Sequence, residues 1–110
     1  MAELPQKYDV FQAIADPTRR KLLELLAGKE LPISTISSHF IISRTAVTKH
    51  LHVLESAGLV TSQKVGREKR YSLQARPLRT LQTWLGFYEQ FWDDKLSILK
   101  EIVESDQGEE

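Results

Sequence analysis

The chain has 110 residues, no cysteine and a formal net charge of zero, with 15 basic and 15 acidic residues. This length predicts one domain with a modest core. The absence of cysteine excludes disulfides, thiolate metal sites and cysteine nucleophiles. No apolar run approaches the roughly 20 residues of a membrane span, and the beginning of the chain lacks the hydrophobic segment of a signal peptide. We therefore expect a cytoplasmic protein with no membrane partner.

The charges are distributed unevenly along the chain. Residues 1–80 contain 13 Lys or Arg against 7 Asp or Glu, whereas residues 81–110 contain 2 against 8. The two parts carry net charges of +6 and −6, which cancel only in total. A polyanion attracts the basic N-terminal part of such a molecule and repels the acidic C-terminal part, so the molecule is oriented toward it. The distribution is therefore compatible with a nucleic-acid partner.

Two short helices are predicted before residue 30. In the first, at about 7–15, apolar residues recur at spacings of three and four, and we assign them to the core or to a dimer contact: Tyr8, Phe11, Ile14 and Ala15. Asp16 as N-cap and Pro17 at the first position predict the start of the second helix, and Gly28 its end. This helix should bury Leu22, Leu23, Leu25 and Leu26. We interpret three basic residues near its start as solvated charges rather than phosphate contacts: Arg19, Arg20 and Lys21.

A helix-turn-helix is predicted at about 33–57. Its first helix covers about 33–40, and the turn passes through residues 41–42. Ser43 can cap the free amides of the second helix, and Gly58 is suited to the left-handed residue that follows a helix. The second helix should therefore have roughly four turns.

The second helix has two unlike faces. A helical wheel places Val47, Leu51 and Leu54 together on an apolar face. The opposite face is small, polar and basic, so it can approach base edges and phosphates closely, as a recognition helix does in the major groove. A solvated face on a core helix is the alternative. The polar positions are Thr45, Thr48, Lys49, His52 and Ser56.

A basic β-hairpin is predicted at about 59–73. Gly66 marks its turn, and the tip lies at about 65–68. A basic hairpin directly after a recognition helix indicates a wing that reaches along the DNA backbone or into the minor groove. An edge hairpin that uses basic residues to deter aggregation is the alternative. Its basic residues, which only Glu68 offsets, are Lys64, Arg67, Lys69 and Arg70.

A long helix is predicted at about 77–104, and its roughly 42 Å exceed what so small a domain covers by itself. Its apolar residues follow a three-four alternation that requires a second helix, so we predict a twin subunit. The aromatic cluster at 84–92 could line a ligand pocket, but large rings are more typical of a dimer core. We expect residues 106–110 to be a disordered acidic tail. The apolar seam comprises Leu78, Leu81, Leu85, Tyr88, Trp92, Leu99 and Ile102.

In order, the predicted elements are α-α-α-α-β-β-α, a mainly α fold with a small β-hairpin (α+β) in one domain over residues 1–105. This order, together with the stretches AIADPTRRKLLELL, SRTAVTKHLHVLESAGLV and KRYSL, resembles the ArsR-type (ArsR/SmtB-like) winged helix-turn-helix repressors of bacteria. The resemblance covers about residues 10–103. It implies a homodimer, joined through the first and last helices, that binds an inverted-repeat operator in double-stranded DNA.

The resemblance also implies roles for individual residues. Positions that match DNA contacts of such repressors are Ser43, Arg44, Thr45, Thr48 and Lys49 on the recognition helix and Arg67 and Lys69 on the wing. The wheel adds His52 to the DNA-binding set, and the charge of the hairpin adds Lys64. The predicted dimer interface comprises Tyr8, Phe11, Leu81, Leu85, Tyr88, Trp92 and Leu99.

The sequence departs from the metal sensors of that family. Residues 33–36 lack the thiolate ligands of one site type, and the last helix has Asp93 and Asp94 but no histidine for the other. His50 lies at the margin of the buried face and is expected to be packed and hydrogen-bonded rather than a ligand. We therefore expect no metal and no cofactor. The turn carries Ile41 and Ile42 where such repressors often have a glycine, which leaves its detailed geometry open.

A DNA-binding repressor that does not respond to metals through thiolates is the leading functional prediction. The alternative is a winged-helix adaptor that binds another protein through the aromatic last helix, and oligomeric state would discriminate between them. We predict no enzyme and no catalytic residues, because phosphate loops, nucleophile elbows and metal clusters are absent from the sequence. An effector, either a small molecule or a protein, is left open.

Overall fold

The computed structural model describes the backbone of residues 8–108 and the side chains of residues 8–92 and 98–104. The chain divides into two compact units, Met1–Arg79 and Thr80–Glu110. The single domain over residues 1–105 stays a prediction. The boundary falls at the start of the last helix. It also nearly coincides with the change from basic to acidic sequence.

The elements follow the order of a winged helix-turn-helix, which confirms the predicted mainly α fold with a small sheet. The first unit also contains a short 3₁₀ turn at Arg76–Leu78. The regular elements are α1 Val10–Ala13, α2 Pro17–Leu26, β1 Glu30–Pro32, α3 Ile33–Ser38, α4 Arg44–Ser56, β2 Val60–Val65, β3 Glu68–Leu73 and α5 Arg79–Gly108.

Side-chain caps determine where the helices begin. Asp16 Oδ2 accepts a hydrogen bond from the Arg19 backbone N–H at 3.0 Å, and Ser43 Oγ accepts one from Ala46 N at 3.1 Å. Both predicted caps are confirmed. The first helix is shorter than predicted because Asp9 caps it in a capping box with Gln12, at 2.7 and 2.9 Å. Residue 7 of that prediction lies outside the described residues.

The sheet has three strands in the order β1-β3-β2, all antiparallel. The predicted hairpin is β2 and β3, but β1 is a correction to the predicted order of elements. Three residues are too few to show the alternation of a strand. Pro32 disfavours helix at Leu31, and pairing of Leu31 with Tyr71 of β3 then completes the strand. The Arg70 and Glu30 side chains form an ion pair across these two strands at 3.5 Å.

The core lies among α1 to α4 and the sheet. Leu25, predicted to be buried, is only partly so. On α1 the buried residues are Val10 and Ala13. Of the apolar set assigned to the core or to a dimer contact, Phe11 is 38% exposed, which leaves the dimer contact as its predicted role. The other buried apolar residues are Leu22, Leu23, Leu26, Ile36, Val47, Leu51, Leu54, Ala57, Leu59, Val60 and Tyr71.

The turn of the helix-turn-helix forms without a glycine. Ile41 is fully exposed and Ile42 is 36% exposed. Within the described part of the chain every residue with a positive φ is a glycine, so neither isoleucine is in the left-handed region. Gly58, which ends α4, has a φ of +76° as predicted.

α5 is a helix of 30 residues, or about 45 Å. It ends at Gly108, four residues beyond the predicted end, and so includes residues 106–108 of the predicted tail. Residues 109–110 of that tail lie outside the described residues. Over residues 8–108, no helix combines the length and the apolar character needed to cross a membrane.

Candidate nucleic-acid interface

α4 separates its two faces as the sequence predicted. Val47, Leu51 and Leu54 have no exposed surface. The four exposed residues of the predicted polar set are Thr45, Thr48, Lys49 and His52. Ser56, the fifth residue of the set, is half-buried rather than exposed. Its hydroxyl donates to the Val53 carbonyl at 2.7 Å, so the hydroxyl proton is used within the helix.

The N-terminal turn of α4 has specific internal hydrogen bonds. The Ser43 hydroxyl oxygen is engaged in capping, and Arg44 is exposed beside it. The Thr48 hydroxyl donates to the Arg44 carbonyl at 2.9 Å. Thr48 therefore offers its surroundings a hydroxyl lone pair and a methyl group, but not the hydroxyl proton.

A groove of about 490 Å³ lies along the polar face of α4. It brings together three of the predicted DNA-contacting residues. It also includes Tyr8, which the sequence assigned to the dimer interface. The lining residues are Tyr8, Thr48, Lys49, His52, Val53 and Ser56.

The wing has a two-residue turn at its tip. Gly66, with a φ of +65°, and Arg67 connect β2 to β3, and glycine is favoured there because other residues rarely adopt that conformation. Lys64 and Lys69 are direct cross-strand partners. Lys69 Nζ also lies 5.5 Å from the ring centroid of Tyr71. The turn thus brings three exposed cations together at one end of the hairpin.

The fourth basic residue of the hairpin is engaged within the fold. The Arg70 guanidinium lies 3.5 Å from the Glu30 carboxylate and 3.7 Å from that of Glu68. By contrast, no described carboxylate forms an ion pair with Lys64, Arg67 or Lys69. These three residues keep their charge available for an external anion.

Two of the three basic residues at the start of α2 bond to the end of α1. Arg19 is half-buried, so its interpretation as a solvated charge was wrong, whereas Arg20 keeps an exposed side chain. Arg19 Nε donates to the Ala13 carbonyl at 2.7 Å, and Arg20 Nη1 donates to the Ile14 carbonyl at 2.7 Å. These carbonyls belong to the C-terminal end of α1, where a helix has no internal partners for them. Lys21 is exposed, as expected.

His50, on the recognition helix α4, is half-buried against the start of α2 and hydrogen-bonded there, as predicted. Its Nδ1 lies 3.3 Å from Arg19 Nη1 and 3.9 Å from Asp16 Oδ2. His39 and His52 are exposed. In the region described, no three His, Cys, Asp or Glu side chains are grouped so as to hold a metal ion.

Among the described residues, Asp16 has a carboxyl pKa that clearly departs from its ordinary value. Partial burial raises the pKa of its carboxyl, but the hydrogen bonds from the backbone N–H groups of Arg19 and Thr18 and the nearby side chains of His50 and Arg19 have a larger combined effect. The net result is a pKa below the ordinary value. Asp16 therefore caps α2 as a carboxylate.

α5 carries five of the seven residues of the predicted dimer interface. Tyr88 is 37% exposed and Leu99 is 56% exposed, while Leu81 is half-buried. The Tyr88 ring has edge contacts with Trp84 and Phe87, at centroid distances of 5.4 and 5.0 Å. Leu85 and Trp92 are exposed as well.

Comparison with known proteins identifies relatives along most of the chain. The family described as "Bacterial regulatory protein, arsR family" matches residues 16–62. The transcriptional repressor SdpR of Bacillus subtilis is 38% identical over 77 residues, which cover 70% of this chain and 86% of that protein. The regulator Rv2034 of Mycobacterium tuberculosis is 34% identical over 96 residues, or 87% of each chain.

A solved structure has the same fold. The ArsR-like transcriptional regulator from Rhodococcus sp. RHA1 is 38% identical, with a TM-score of 0.68, and the match covers 87% of this chain and 88% of that one. These relatives are transcriptional regulators rather than enzymes, in agreement with the sequence prediction. The chain therefore belongs to the arsR family of bacterial regulatory proteins and is a transcriptional regulator with a winged helix-turn-helix DNA-binding fold.

Proposed function

We propose that the protein is a homodimeric repressor that binds an inverted-repeat operator, with α4 in the major groove and the wing on the adjacent backbone or minor groove. The proposal rests chiefly on α4. Three of its residues have no exposed surface, while its opposite face presents short polar and basic side chains to solvent. A side chain that is short can reach a base edge without holding the helix away from it.

The roles of the DNA-binding residues follow from their chemistry. Base edges are contacted by Thr45, Thr48, Lys49 and His52. Next to the Ser43 cap, Arg44 contacts phosphate. The three exposed cations of the wing, which form no ion pair with a described carboxylate, contribute phosphate contacts and hence affinity for any sequence: Lys64, Arg67 and Lys69.

The dimer forms through α5, together with Phe11 on α1 and Tyr8 just before it. Apolar residues along α5 retain a third or more of their surface in one chain, and an exposed apolar seam of this length is typical of an interface. Two-fold symmetry then places the two α4 helices about 34 Å apart, in successive major grooves on one side of the duplex. Operator half-sites should have the same spacing.

The regulator does not respond to metal through thiolate ligands, since the chain has no cysteine. An effector, if one acts, is a small molecule or a protein. Because the target is chromosomal DNA in a bacterium, the site of action is the cytoplasm.

Selection from random double-stranded DNA, followed by fluorescence titration at several salt concentrations, tests the proposal. We expect enrichment of an inverted repeat, binding of one dimer per site, and a steep linear fall of log affinity with log salt concentration. Thr48→Ala should reduce the preference for the selected site, and Arg67→Ala should weaken binding to all sequences. If no sequence is enriched and the protein is monomeric, the repressor proposal fails and a winged-helix adaptor is favoured.

A further inference from the structure

Arg19 joins three helices of the DNA-binding unit. Its Nε and Nη2 donate to the carbonyls of Ala13 and Gln12 at 2.7 and 3.2 Å, at the end of α1. Its backbone N–H donates to Asp16, the cap of α2. Its Nη1 lies 3.3 Å from Nδ1 of His50 on α4. One half-buried guanidinium therefore connects α1 to the recognition helix.

The tautomer of His50 decides whether the contact with Arg19 is a hydrogen bond. A guanidinium has five N–H donors and no acceptor. The contact between Arg19 and His50 is therefore a hydrogen bond only when Nδ1 of His50 is unprotonated and accepts. A neutral imidazole that accepts at Nδ1 carries its proton on Nε2. A hydrogen bond from Arg19 to Nδ1 therefore corresponds to the tautomer that carries its proton on Nε2, whereas a proton on Nδ1 would face the Asp16 carboxylate at 3.9 Å instead.

The location of His50 gives this bond a functional consequence. His50 lies next to Lys49 in the chain and two residues from both Thr48 and His52, all three of which line the groove on the polar face of α4. A side chain that holds His50 from one side restricts rotation of α4 about its axis. Rotation by even part of a turn would misalign these side chains with base edges.

We propose that Arg19 is a positioning residue for the recognition helix, which it holds through Nδ1 of His50 while its other nitrogens hold the end of α1. Movement of α1 is thereby transmitted to the DNA-contacting face. This inference rests on the proposed operator binding and adds to it a route by which α1 controls the orientation of α4.

Arg20 provides a matched control. It is the neighbouring arginine, and its Nη1 also donates to a carbonyl at the end of α1, that of Ile14, at 2.7 Å. Among the hydrogen bonds of the described residues, none joins Arg20 to α4. Arg20→Gln therefore removes support of α1 alone, whereas Arg19→Gln also removes the connection to His50.

A second pair of variants changes His50, the partner of Arg19 in the contact. Asn carries a carbonyl oxygen near the place of the imidazole Nδ1, so His50→Asn retains an acceptor for Arg19, and His50→Ala does not. Neither variant changes a residue that bonds to α1. This pair still decides the question if Arg19→Gln does not fold.

The experiment measures affinity for the selected operator, the salt dependence of that affinity and the nitrogen chemical shifts of His50 by NMR. We expect Arg19→Gln and His50→Ala to weaken operator binding on the order of tenfold, as befits loss of a hydrogen bond to a charged group. Arg20→Gln and His50→Asn should stay within about threefold of the wild type. The salt dependence for Arg19→Gln should match that of the wild type, because Arg19 neutralises no phosphate in this arrangement.

The NMR measurement is independent of DNA. In the wild type at neutral or mildly alkaline pH, Nδ1 of His50 should have the shift of an unprotonated acceptor and Nε2 that of an N–H group. In Arg19→Gln this preference should be reduced. A proton on Nδ1 in the wild type overturns the inference, and so do equal operator affinities of Arg19→Gln and Arg20→Gln. Failure of the wild type to select any operator refutes the proposed function instead, while the tautomer result still tests the contact.

Discussion

Lys64 and Lys69 are direct cross-strand partners in the wing, so two like charges face each other on one side of the hairpin. Like charges in this position destabilise a two-stranded pairing. No carboxylate in the described chain forms an ion pair with either lysine. A phosphate between them would relieve the repulsion, so the arrangement favours the DNA-bound state over the free one.

Lys64→Gln should therefore have opposite effects on the two states. The free protein should be stabilised by a few tenths of a kcal/mol, because a cross-strand repulsion is removed. Binding to operator and to random DNA should weaken by similar factors, and the slope of log affinity against log salt should fall by about 1. Urea unfolding and salt-dependent titration measure the two effects. Lys29→Gln, an exposed lysine outside the wing, is the control and should leave the slope unchanged. A slope unchanged in Lys64→Gln would contradict the wing assignment.

Thr48→Val should alter sequence preference with little change in stability. The substitution keeps a β-branched side chain of similar shape but removes the hydroxyl that bonds to the Arg44 carbonyl. We expect loss of about 1 to 3 kcal/mol of discrimination at one operator position, because a base contact is lost. Titration against operators substituted one base pair at a time measures this loss. Thr48→Ser, which keeps the hydroxyl, should retain discrimination that depends on hydrogen bonding. A uniform loss over all operators would place Thr48 at the backbone instead.

Asp16 should contribute to the pH dependence of stability. Its pKa in the folded protein is below the ordinary value of 3.8, so the carboxyl is protonated at a higher pH in the unfolded chain than in the folded protein. The stabilisation from charged Asp16 is therefore fully present above its pKa in the unfolded chain. It is lost as the pH falls through its pKa in the folded protein. Asp16→Asn keeps an oxygen that can cap α2 but does not titrate. In urea unfolding between about pH 2 and 7, the stability difference between wild type and variant should be constant above about pH 5 and shrink below it. A constant difference throughout would contradict the charged cap.

Leu99→Asp should shift the protein from dimer to monomer. Leu99 is 56% exposed on α5 in the single chain, and a buried unpaired carboxylate would be costly in an interface. Sedimentation velocity over a range of protein concentrations measures the shift. Lys100→Gln, at the adjacent and more exposed position, is the control and should remain dimeric. A wild-type protein that stays monomeric at high concentration would refute the α5 interface.

Local chemistry explains why much of the fold could be predicted. A cap acts on amides two or three residues away, so Asp16 and Ser43 indicate helix starts without knowledge of the rest of the chain. The same holds for Gly58, whose left-handed backbone ends α4. The burial of Val47 and Leu51 followed from helical periodicity alone.

The features that could not be predicted depend on residues far apart in sequence. β1 exists because it pairs with β3, and the ion pair of Arg70 with Glu30 joins residues 40 positions apart. The Arg19 to His50 contact spans 31 positions. A basic cluster in a sequence looks the same whether its side chains are solvated or cap another helix. The Asp9 to Gln12 capping box, by contrast, was a local signal that could have placed the start of α1.

The brevity of α1 has a consequence for how the protein opens. Four residues are far fewer than an isolated helix needs to persist in water, and two arginines of α2 hold its terminal carbonyls. The conformation of α1 is thus maintained from outside the helix. Its amide hydrogens should exchange with solvent whenever the start of α2 opens, so that α1 and the first turn of α2 behave as one cooperative unit in native-state hydrogen exchange.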